Sequence, residues 1–188
     1  MIKSKEDLKF YIDQDIKMSG LNITKPRFLR DDILRFQILL RKCEYINNCK
    51  NSRIWSIYLN FLKLRLNKKG MKLGFSVPLN VFGPGLSIAH YGLITINSNA
   101  KIGKNCRIHE GVTIGATDGI SKAATIGDNV FIGSGAKVIG DIKIGNGISI
   151  GANSVVTKSF KEDNITIAGV PARKISNNGS YKFLKDLI

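Results

Sequence analysis

Every sixth residue from position 96 to position 156 is aliphatic. The members of this series are isoleucine or valine: Ile96, Ile102, Ile108, Ile114, Ile120, Ile126, Ile132, Val138, Ile144, Ile150 and Val156. Neither the 3.6-residue period of an α-helix nor the two-residue alternation of a strand produces this spacing. A six-residue repeat is typical of a parallel β-helix, in which each hexapeptide forms one flat side of a triangular coil. The repeat therefore predicts a mainly β fold with the aliphatic side chains pointing inward.

The repeat also shows where the coil is interrupted. Phe82, Ile88 and Ile94 are six residues apart but two out of phase with Ile96, which predicts a two-residue insertion near 94–95. Further along, "GATDGISKAAT" is rich in Gly, Asp and Ser, so residues 116–124 are expected to leave the coil as a loop even though Ile120 keeps the phase. The coil is expected to end near residue 158.

The chain before residue 72 has a different pattern. Apolar residues follow helical spacing in "RDDILRFQILLRKCEYI" and again in "SRIWSIYLNFLKLRL", where Ser52 is a candidate N-cap. We expect two to four helices there, with Trp55, Tyr58 and Phe61 as core or subunit contacts. The predicted organisation is a helical region at 1–72, a β-helix domain at 73–175 and a C-terminal tail with a short helix at 176–188.

The charge is concentrated in the first part of the chain. The net charge is +15, and residues 1–72 carry 17 Lys and Arg against 7 Asp and Glu. Such a field favours anionic partners, although a solvated lysine-rich surface explains the same numbers. No nucleic-acid recognition motif accompanies the charge, so we expect no nucleic-acid partner and at most peripheral membrane contact.

Other whole-chain features narrow the class. No stretch approaches the roughly 20 apolar residues of a membrane span, and "MIKSKEDLKFYIDQD" lacks the apolar centre of a signal peptide. A cytoplasmic protein is therefore expected. The three cysteines are an odd number without metal-like spacing, which favours reduced thiols and predicts no metal site.

Three stretches carry a family resemblance. "FGPGLSIAHYG", "IGKNCRIHEGVTIG" and "AGVPARKI" resemble the left-handed β-helix acyltransferases, most closely their serine acetyltransferase-like branch, over residues 75–175. The resemblance implies a left-handed coil and acetyl-CoA as co-substrate, bound along the coils between protomers. It also implies a homotrimer, with a hexamer left open, and no metal.

The resemblance also implies site residues. His90 matches the general base, which would take the proton from an acceptor hydroxyl. The cofactor-binding residues implied are small residues on the coil and a segment after it: Gly133, Ala136, Gly151, Ala152, Ala168, Gly169, Pro171, Arg173 and Lys174.

The chain departs from this branch at the acceptor side. Phe75 and Ala89 stand where the branch has aspartates, and Ala123 replaces its second histidine. With the two-residue insertion, Glu110 lies one turn beyond His90, so we expect Glu110 to orient the imidazole. His109 is expected either to contact substrate or to lie on the surface. Asp118 and Lys122 are weaker candidates for acceptor binding.

These features predict an acetyl-CoA-dependent O-acetyltransferase that works by direct transfer. Loss of the aspartates and of the second histidine favours a saccharide hydroxyl as acceptor, as in modification of a surface polysaccharide or its precursor. Serine is the alternative acceptor. An alternative of another class is a non-catalytic β-helix subunit that serves assembly or binds anionic partners.

Overall fold

The computed structural model describes residues 1–27, 30–118 and 122–187 of the chain. Three helices precede the strands: α1 (Lys5–Met18), α2 (Asp32–Cys49) and α3 (Arg53–Leu73). Ser4 caps α1, because its Oγ accepts a hydrogen bond from the Asp7 amide at 3.0 Å. Ser52 occupies the N-cap position of α3 but makes no side-chain capping bond. The prediction of a helical N-terminal region is confirmed.

Short strands and a last helix make up the rest of the chain. In order they are β1 (Phe75–Ser76), β2 (Ser87–Ile88), β3 (Ile94–Ile96), β4 (Lys101–Ile102), β5 (Arg107–Ile108), β6 (Thr113–Gly115), β7 (Thr125–Ile126), β8 (Phe131–Ile132), β9 (Lys137–Ile139), β10 (Lys143–Ile144), β11 (Ser149–Ile150), β12 (Val155–Val156), β13 (Thr166–Gly169), β14 (Ala172–Ser176) and α4 (Tyr181–Leu184).

The strands form the three faces of a coil, and all neighbours are parallel except β13 and β14. Face A runs β1-β3-β6-β9-β12, face B runs β4-β7-β10, and face C runs β2-β5-β8-β11-β13-β14. The repeat isoleucines and valines point inward, and Ile108, Ile114, Ile132 and Ile150 are fully buried. The predicted parallel β-helix is confirmed.

Strand register locates the interruptions. Ile88 pairs with Ile108, twenty residues later, whereas most undisturbed turns advance eighteen, as from Ile132 to Ile150. The two extra residues lie in the corner between β2 and β3, at 89–93, slightly before the predicted position. Turns that span the predicted loop advance twenty-four, as from Ile108 to Ile132. The loop thus adds one hexapeptide, which explains how the phase survives it; Ile120 itself lies outside the described residues.

The coil continues past the predicted end near 158. Phe160 bridges to Ile144, and Ile167 of β13 pairs with Ile150 of β11, so a further shortened turn is present. The prediction was wrong because this turn advances sixteen and seventeen residues, and it therefore drops out of the six-residue phase. Residues 168–175 form a hairpin of β13 and β14 around a cis Val170–Pro171 bond.

Helix α2 is fixed to the first coil turn by buried polar contacts. Arg41 is fully buried, and its guanidinium donates to Asp15 at 2.8 Å, to Glu44 at 3.0 Å and to the carbonyls of Phe82 and Gly83. Asp15 in turn accepts from the amides of Gly85 and Leu86. A buried charge is tolerated only when it is paired and hydrogen-bonded in this way. The network ties α1 and α2 to the segment that leads into β2.

Helix α3 does not bury the aromatic residues that its sequence pattern singled out. Trp55, Tyr58 and Phe61 are 38%, 45% and 52% exposed, so they are not core residues of this chain. The core side of α3 is formed by Leu62, Leu66 and Leu73. None of the helices in the described part of the chain combines the length and apolar character that a bilayer-spanning segment needs.

Candidate active site

The candidate site lies along one edge of the coil, where the chain passes from face C to face A. Because Ile88, Ile108, Ile132, Ile150 and Ile167 are paired in register, the residues that follow them stack above one another. We call this edge the C-to-A corner; its rungs are Ala89–His90, His109–Glu110, Gly133–Ser134, Gly151–Ala152 and Ala168–Gly169. Neighbouring rungs are about 4.8 Å apart, the spacing of paired strands. The corner therefore brings most of the predicted site residues onto one edge.

His90 occupies the rung at which the coil gains its two extra residues. The chain bulges outward there, leaving His90, Tyr91 and Leu93 exposed, while Ile88 and Ile94 on either side are buried. Gly92 allows this bulge: its φ is +135°, and a Cβ on it would lie 2.9 Å from the Cβ of Glu110. The bulge thus presses the backbone beside His90 directly against the next rung.

Two imidazoles and one carboxylate meet at this point. The ligand atoms of His90, His109 and Glu110 all lie within 4.8 Å of one another. The two imidazole rings are edge to face with centroids 5.5 Å apart, and His109 Nδ1 is 4.0 Å from Glu110 Oε2. A separation of 4.0 Å is too long for a direct hydrogen bond but short for a coulombic interaction or one bridging water.

Two buried atoms in this cluster have no partner among the described residues. They are His109 Nε2 and Glu110 Oε2. Buried polar atoms in proteins are almost always hydrogen-bonded, and exceptions call for a bound water or ligand. The cluster can therefore accept a further polar group, such as a substrate hydroxyl.

The surroundings set the protonation of His109 and Glu110. Burial, followed by the Arg107 cation, lowers the pKa of His109, and the Glu110 charge partly offsets this. Hydrogen bonding from the Ser134 side chain, followed by the backbone of Glu110 itself, lowers the pKa of Glu110. At neutral pH the site thus holds a neutral His109 beside an ionised Glu110.

The aromatic contacts beside His109 were not predicted from the sequence. The Phe131 ring lies 5.0 Å from the His109 ring, and Phe183 of α4 stacks on Phe131 at 4.4 Å. Arg107 donates to Ser87 Oγ at 2.9 Å on the same face. Phe131 and Arg107 precede inward isoleucines in the repeat, so their outward direction was predictable, but the return of α4 onto face C was not.

The predicted cofactor residues fall into three groups. Gly133, Gly151, Ala152, Ala168 and Gly169 lie on the C-to-A corner below the histidines. Gly133 and Gly151 also let neighbouring turns approach, because a Cβ on either would lie 2.8 Å from the next rung.

The second group lies on the hairpin after the coil. Pro171, Arg173 and Lys174 are exposed on it, and Lys174 forms a salt bridge with Glu162 at 2.5 Å. Ala136 forms the third group. It is fully buried in the coil core, so its prediction as a cofactor contact was wrong; the repeat turns this small residue inward.

The residues predicted as weaker candidates for acceptor binding lie away from His90 in this chain. Asp118 and Lys122 are exposed in the loop between faces A and B, at a different corner of the coil. Phe75, at the position of the expected aspartate, is buried and packs edge to face on Phe36 of α2. Ala89 lines the rung of His90 without a charge, and Ala123 is buried.

The side chains present also bear on metal binding and on catalysis by a thiol nucleophile. Two imidazoles and a carboxylate are a donor set that suits a divalent cation such as zinc. Burial raises the pKa of Cys106 to about 12 and that of Cys43 to about 11, so neither thiol is a nucleophile at neutral pH.

Comparisons with known proteins agree with this architecture. Residues 123–158 match the family model described as bacterial transferase hexapeptide (six repeats). The structure is similar to soybean serine acetyltransferase, with a TM-score of 0.73 and 25% identity over 91% of this chain and 70% of that chain. Serine acetyltransferase from Brucella abortus in complex with coenzyme A is similar with a TM-score of 0.66 and 27% identity, over 93% and 68% of the two chains.

A third similar structure shows the shared fold alone because its identity is lower. It is serine acetyltransferase from Neisseria gonorrhoeae in complex with serine, with a TM-score of 0.70 and 24% identity over 90% of this chain and 69% of that chain. The left-handed β-helix expected from the sequence is confirmed by these similarities.

Proposed function

We propose that this chain, a hexapeptide-repeat protein with the left-handed β-helix fold of serine acetyltransferases, transfers the acetyl group of acetyl-CoA to a hydroxyl group. The observation that carries the proposal is the meeting of His90, His109 and Glu110 on one rung pair of the C-to-A corner. Small residues continue along this corner for three further rungs, which leaves an open edge for an extended thioester co-substrate.

In the proposed reaction His90 is the general base. It takes the proton of the acceptor hydroxyl as that oxygen attacks the thioester carbonyl; the C–S bond then breaks, and the imidazolium returns the proton to the leaving thiolate. Glu110 stabilises the imidazolium through space. Neutral His109 supplies a ring nitrogen without a partner in the described chain, which suits hydrogen bonding to the acceptor.

The corner also offers donors for the oxyanion. Backbone bonds between turns use the amides of Ala89, His109, Gly133 and Gly151. The amides of Ser134 and Ala152, which come next on two of these rungs, donate to no backbone carbonyl of the described residues. Such a fixed N–H group is the kind of donor that stabilises a tetrahedral oxyanion.

For the acceptor we propose a saccharide hydroxyl. An amino acid brings an ammonium and a carboxylate, and burying either group requires a charged partner. Ala89 and Phe75 provide none, and the charged groups nearest His109 already have partners: Arg107 donates to Ser87, and Glu110 faces the two imidazoles. The stacked rings of Phe131 and Phe183 instead present aromatic surface beside His109, which suits the C–H face of a sugar ring.

Serine is the second candidate acceptor. The similar structures named above are serine acetyltransferases, and one was solved with serine. Arg107 near His109 could pair with the carboxylate of serine, and Glu110 with its ammonium.

The experiment measures thiol release from acetyl-CoA with separate acceptors: serine, neutral hexoses, N-acetylhexosamines and acidic sugars. The wild-type chain is compared with His90→Asn, and acetyl-CoA binding is measured for both by calorimetry. We expect saccharide-dependent release that falls about 100- to 10,000-fold in His90→Asn, with acetyl-CoA binding retained.

Other outcomes are equally informative. Release with serine alone would replace the saccharide by the second candidate. Acetyl-CoA binding without release from any acceptor would contradict the saccharide and serine proposals together. If neither acetyl-CoA binding nor thiol release is detected, the proposed enzymatic activity is contradicted and a non-catalytic β-helix subunit is favoured. Because acetyl-CoA is a metabolite of the cell interior, the proposal retains a cytoplasmic location.

A further inference from the structure

Helix α3 has an outward surface that acyl transfer does not use. The helix carries six Lys and Arg residues and no Asp or Glu over its 21 residues. It exposes four large apolar side chains to solvent: Ile54, Ile57, Phe61 and Leu64, which are 78%, 65%, 52% and 61% exposed. We call these four residues the α3 stripe.

A cationic groove of about 580 Å³ adjoins the stripe, between α2 and α3. Its apolar floor includes Leu39 and Leu62. Six cations line it: Arg35, Lys42, Arg65, Lys68, Lys69 and Lys72. Asp32 pairs with Lys69 at 2.7 Å and lies 3.9 Å from Arg35, so the groove keeps a strong positive charge.

The stripe and the groove are continuous along one helix. At 100° per residue, Lys68 and Lys72 fall on the same side of α3 as Ile57 and Phe61, about two to four turns further along. Arg65 connects the two, since its guanidinium lies 5.8 Å from the centroid of the Phe61 ring. One surface therefore combines exposed aliphatic and aromatic side chains with a cluster of cations.

We propose that this surface docks the protein on an anionic lipid bilayer. A helix with apolar and aromatic side chains beside Lys and Arg, and without acids, is suited to the boundary between headgroups and acyl chains. Headgroup phosphates would occupy the groove, and the α3 stripe would enter the bilayer surface. Nucleic acid would pair with the cations but would leave the aliphatic stripe exposed to water.

A second copy of the chain is a poorer occupant. Two α3 helices facing each other would bring twelve cations together with no acid on either helix to offset them. An anionic bilayer neutralises the same cations and also covers the stripe. Charge complementarity therefore selects the bilayer.

Trp55 provides a direct readout, because it is the single Trp of the chain and lies at the start of α3. The full chain is mixed with vesicles of phosphatidylcholine alone or with about 30% phosphatidylglycerol. We expect co-sedimentation and a blue shift of Trp55 fluorescence with the anionic vesicles, reversed by high salt.

Matched variants separate charge from apolar contact. Lys68→Glu/Lys72→Glu should weaken vesicle binding at least about tenfold, whereas Lys143→Glu/Lys161→Glu, the same charge change on the β-helix, should have little effect. Ile57→Ser/Phe61→Ser should reduce the blue shift. All six substituted side chains are exposed, and circular dichroism checks that each variant is folded.

The proposal is overturned if the wild-type protein does not bind anionic vesicles. It is also overturned if Lys68→Glu/Lys72→Glu and Lys143→Glu/Lys161→Glu weaken vesicle binding equally. A third contrary result is a blue shift of Trp55 fluorescence that increases with protein concentration in the absence of lipid. The surface would then be an interface between two copies of this chain. A shift produced by an oligonucleotide and not by vesicles would likewise replace the bilayer by nucleic acid.

Discussion

Glu110 is the residue on which the electrostatics of the candidate site converge. It faces two imidazoles within 4.8 Å, its Cβ packs against Gly92, and its carbonyl accepts a hydrogen bond from the Gly135 amide at 2.8 Å. These contacts hold an ionised carboxylate beside a developing imidazolium. Because no direct hydrogen bond joins Glu110 to His109, its influence is expected to be coulombic or transmitted through a water molecule.

Replacing Glu110 by Gln removes that charge while keeping the shape. We expect kcat to fall about 10- to 100-fold, with acetyl-CoA affinity nearly unchanged. Because the Glu110 charge raises the pKa of His109 against burial and Arg107, the substitution should lower the pKa of His109 further below 6.5. Steady-state kinetics measure the first effect, and NMR titration of the imidazole measures the second.

The matched control for this substitution is Asp141→Asn, which removes a carboxylate from an exposed position of the coil. It should leave both quantities as in wild type. An unchanged kcat in Glu110→Gln would contradict the positioning role, and an unchanged His109 pKa would contradict the coulombic interaction itself.

At the scale of elements, the C-to-A corner converts a sequence repeat into a line of aligned groups. Each face C strand ends at the same edge, so the residue after each inward aliphatic side chain lies on one rung. His90 and Ala152 are three rungs apart, or about 14 Å at strand spacing. An extended thioester co-substrate can lie along this edge with its carbonyl near His90.

Ala152→Phe tests whether acetyl-CoA lies along the C-to-A corner. Ala152 is exposed, so a larger side chain should cost little stability while filling the edge. We expect KM for acetyl-CoA to rise about tenfold or more, which corresponds to losing about 1.4 kcal/mol of binding, with KM for the acceptor less affected. Initial-rate kinetics with both substrates varied give the two values.

Thr157→Phe is the control for added bulk, because Thr157 is exposed after β12 at the corner between faces A and B. Similar increases in KM for acetyl-CoA in both variants would place the co-substrate elsewhere or indicate a general distortion of the coil.

The sequence predicted the structure well where the six-residue repeat holds and poorly where it does not. Inward and outward directions follow from the six-residue period, so the register that brings Glu110 near His90 could be worked out once two residues were assigned to the bulge. The last coil turn was missed because its spacing shortens to sixteen and seventeen residues. The packing of α4 and Phe183 onto face C was also missed, since long-range contacts outside the repeat leave no periodic signal.

At the scale of the whole molecule, the helical region and the coil form one unit, and large apolar side chains remain exposed on part of its surface. The buried Arg41 network joins α1 and α2 to the first coil turn, so the helices help to fix the segment before His90. Large apolar groups remain exposed at both ends of the C-to-A corner: Tyr91 and Leu93 beside His90, and Val170 and Ile175 on the β13–β14 hairpin, are 64% to 77% exposed. Exposed large apolar side chains along one edge indicate an interaction surface.

Assembly into a homotrimer through the C-to-A corner would cover these groups, and it is the assembly that we propose for the active protein. Light scattering should give three times 20.7 kDa, or about 62 kDa; a hexamer would give twice that mass.

Leu93→Asp should dissociate this trimer and abolish acetyl transfer, because it places a charge within the surface that the trimer would cover beside His90; Leu93 is 77% exposed in the single chain. Leu64→Asp, at an equally apolar exposed position on α3, should leave the trimer intact. If Leu64→Asp instead halves the mass of a hexamer, α3 joins trimers and the bilayer proposal fails with it. A wild-type chain that is monomeric and fully active would contradict the trimer, and the candidate site would then be complete within one chain.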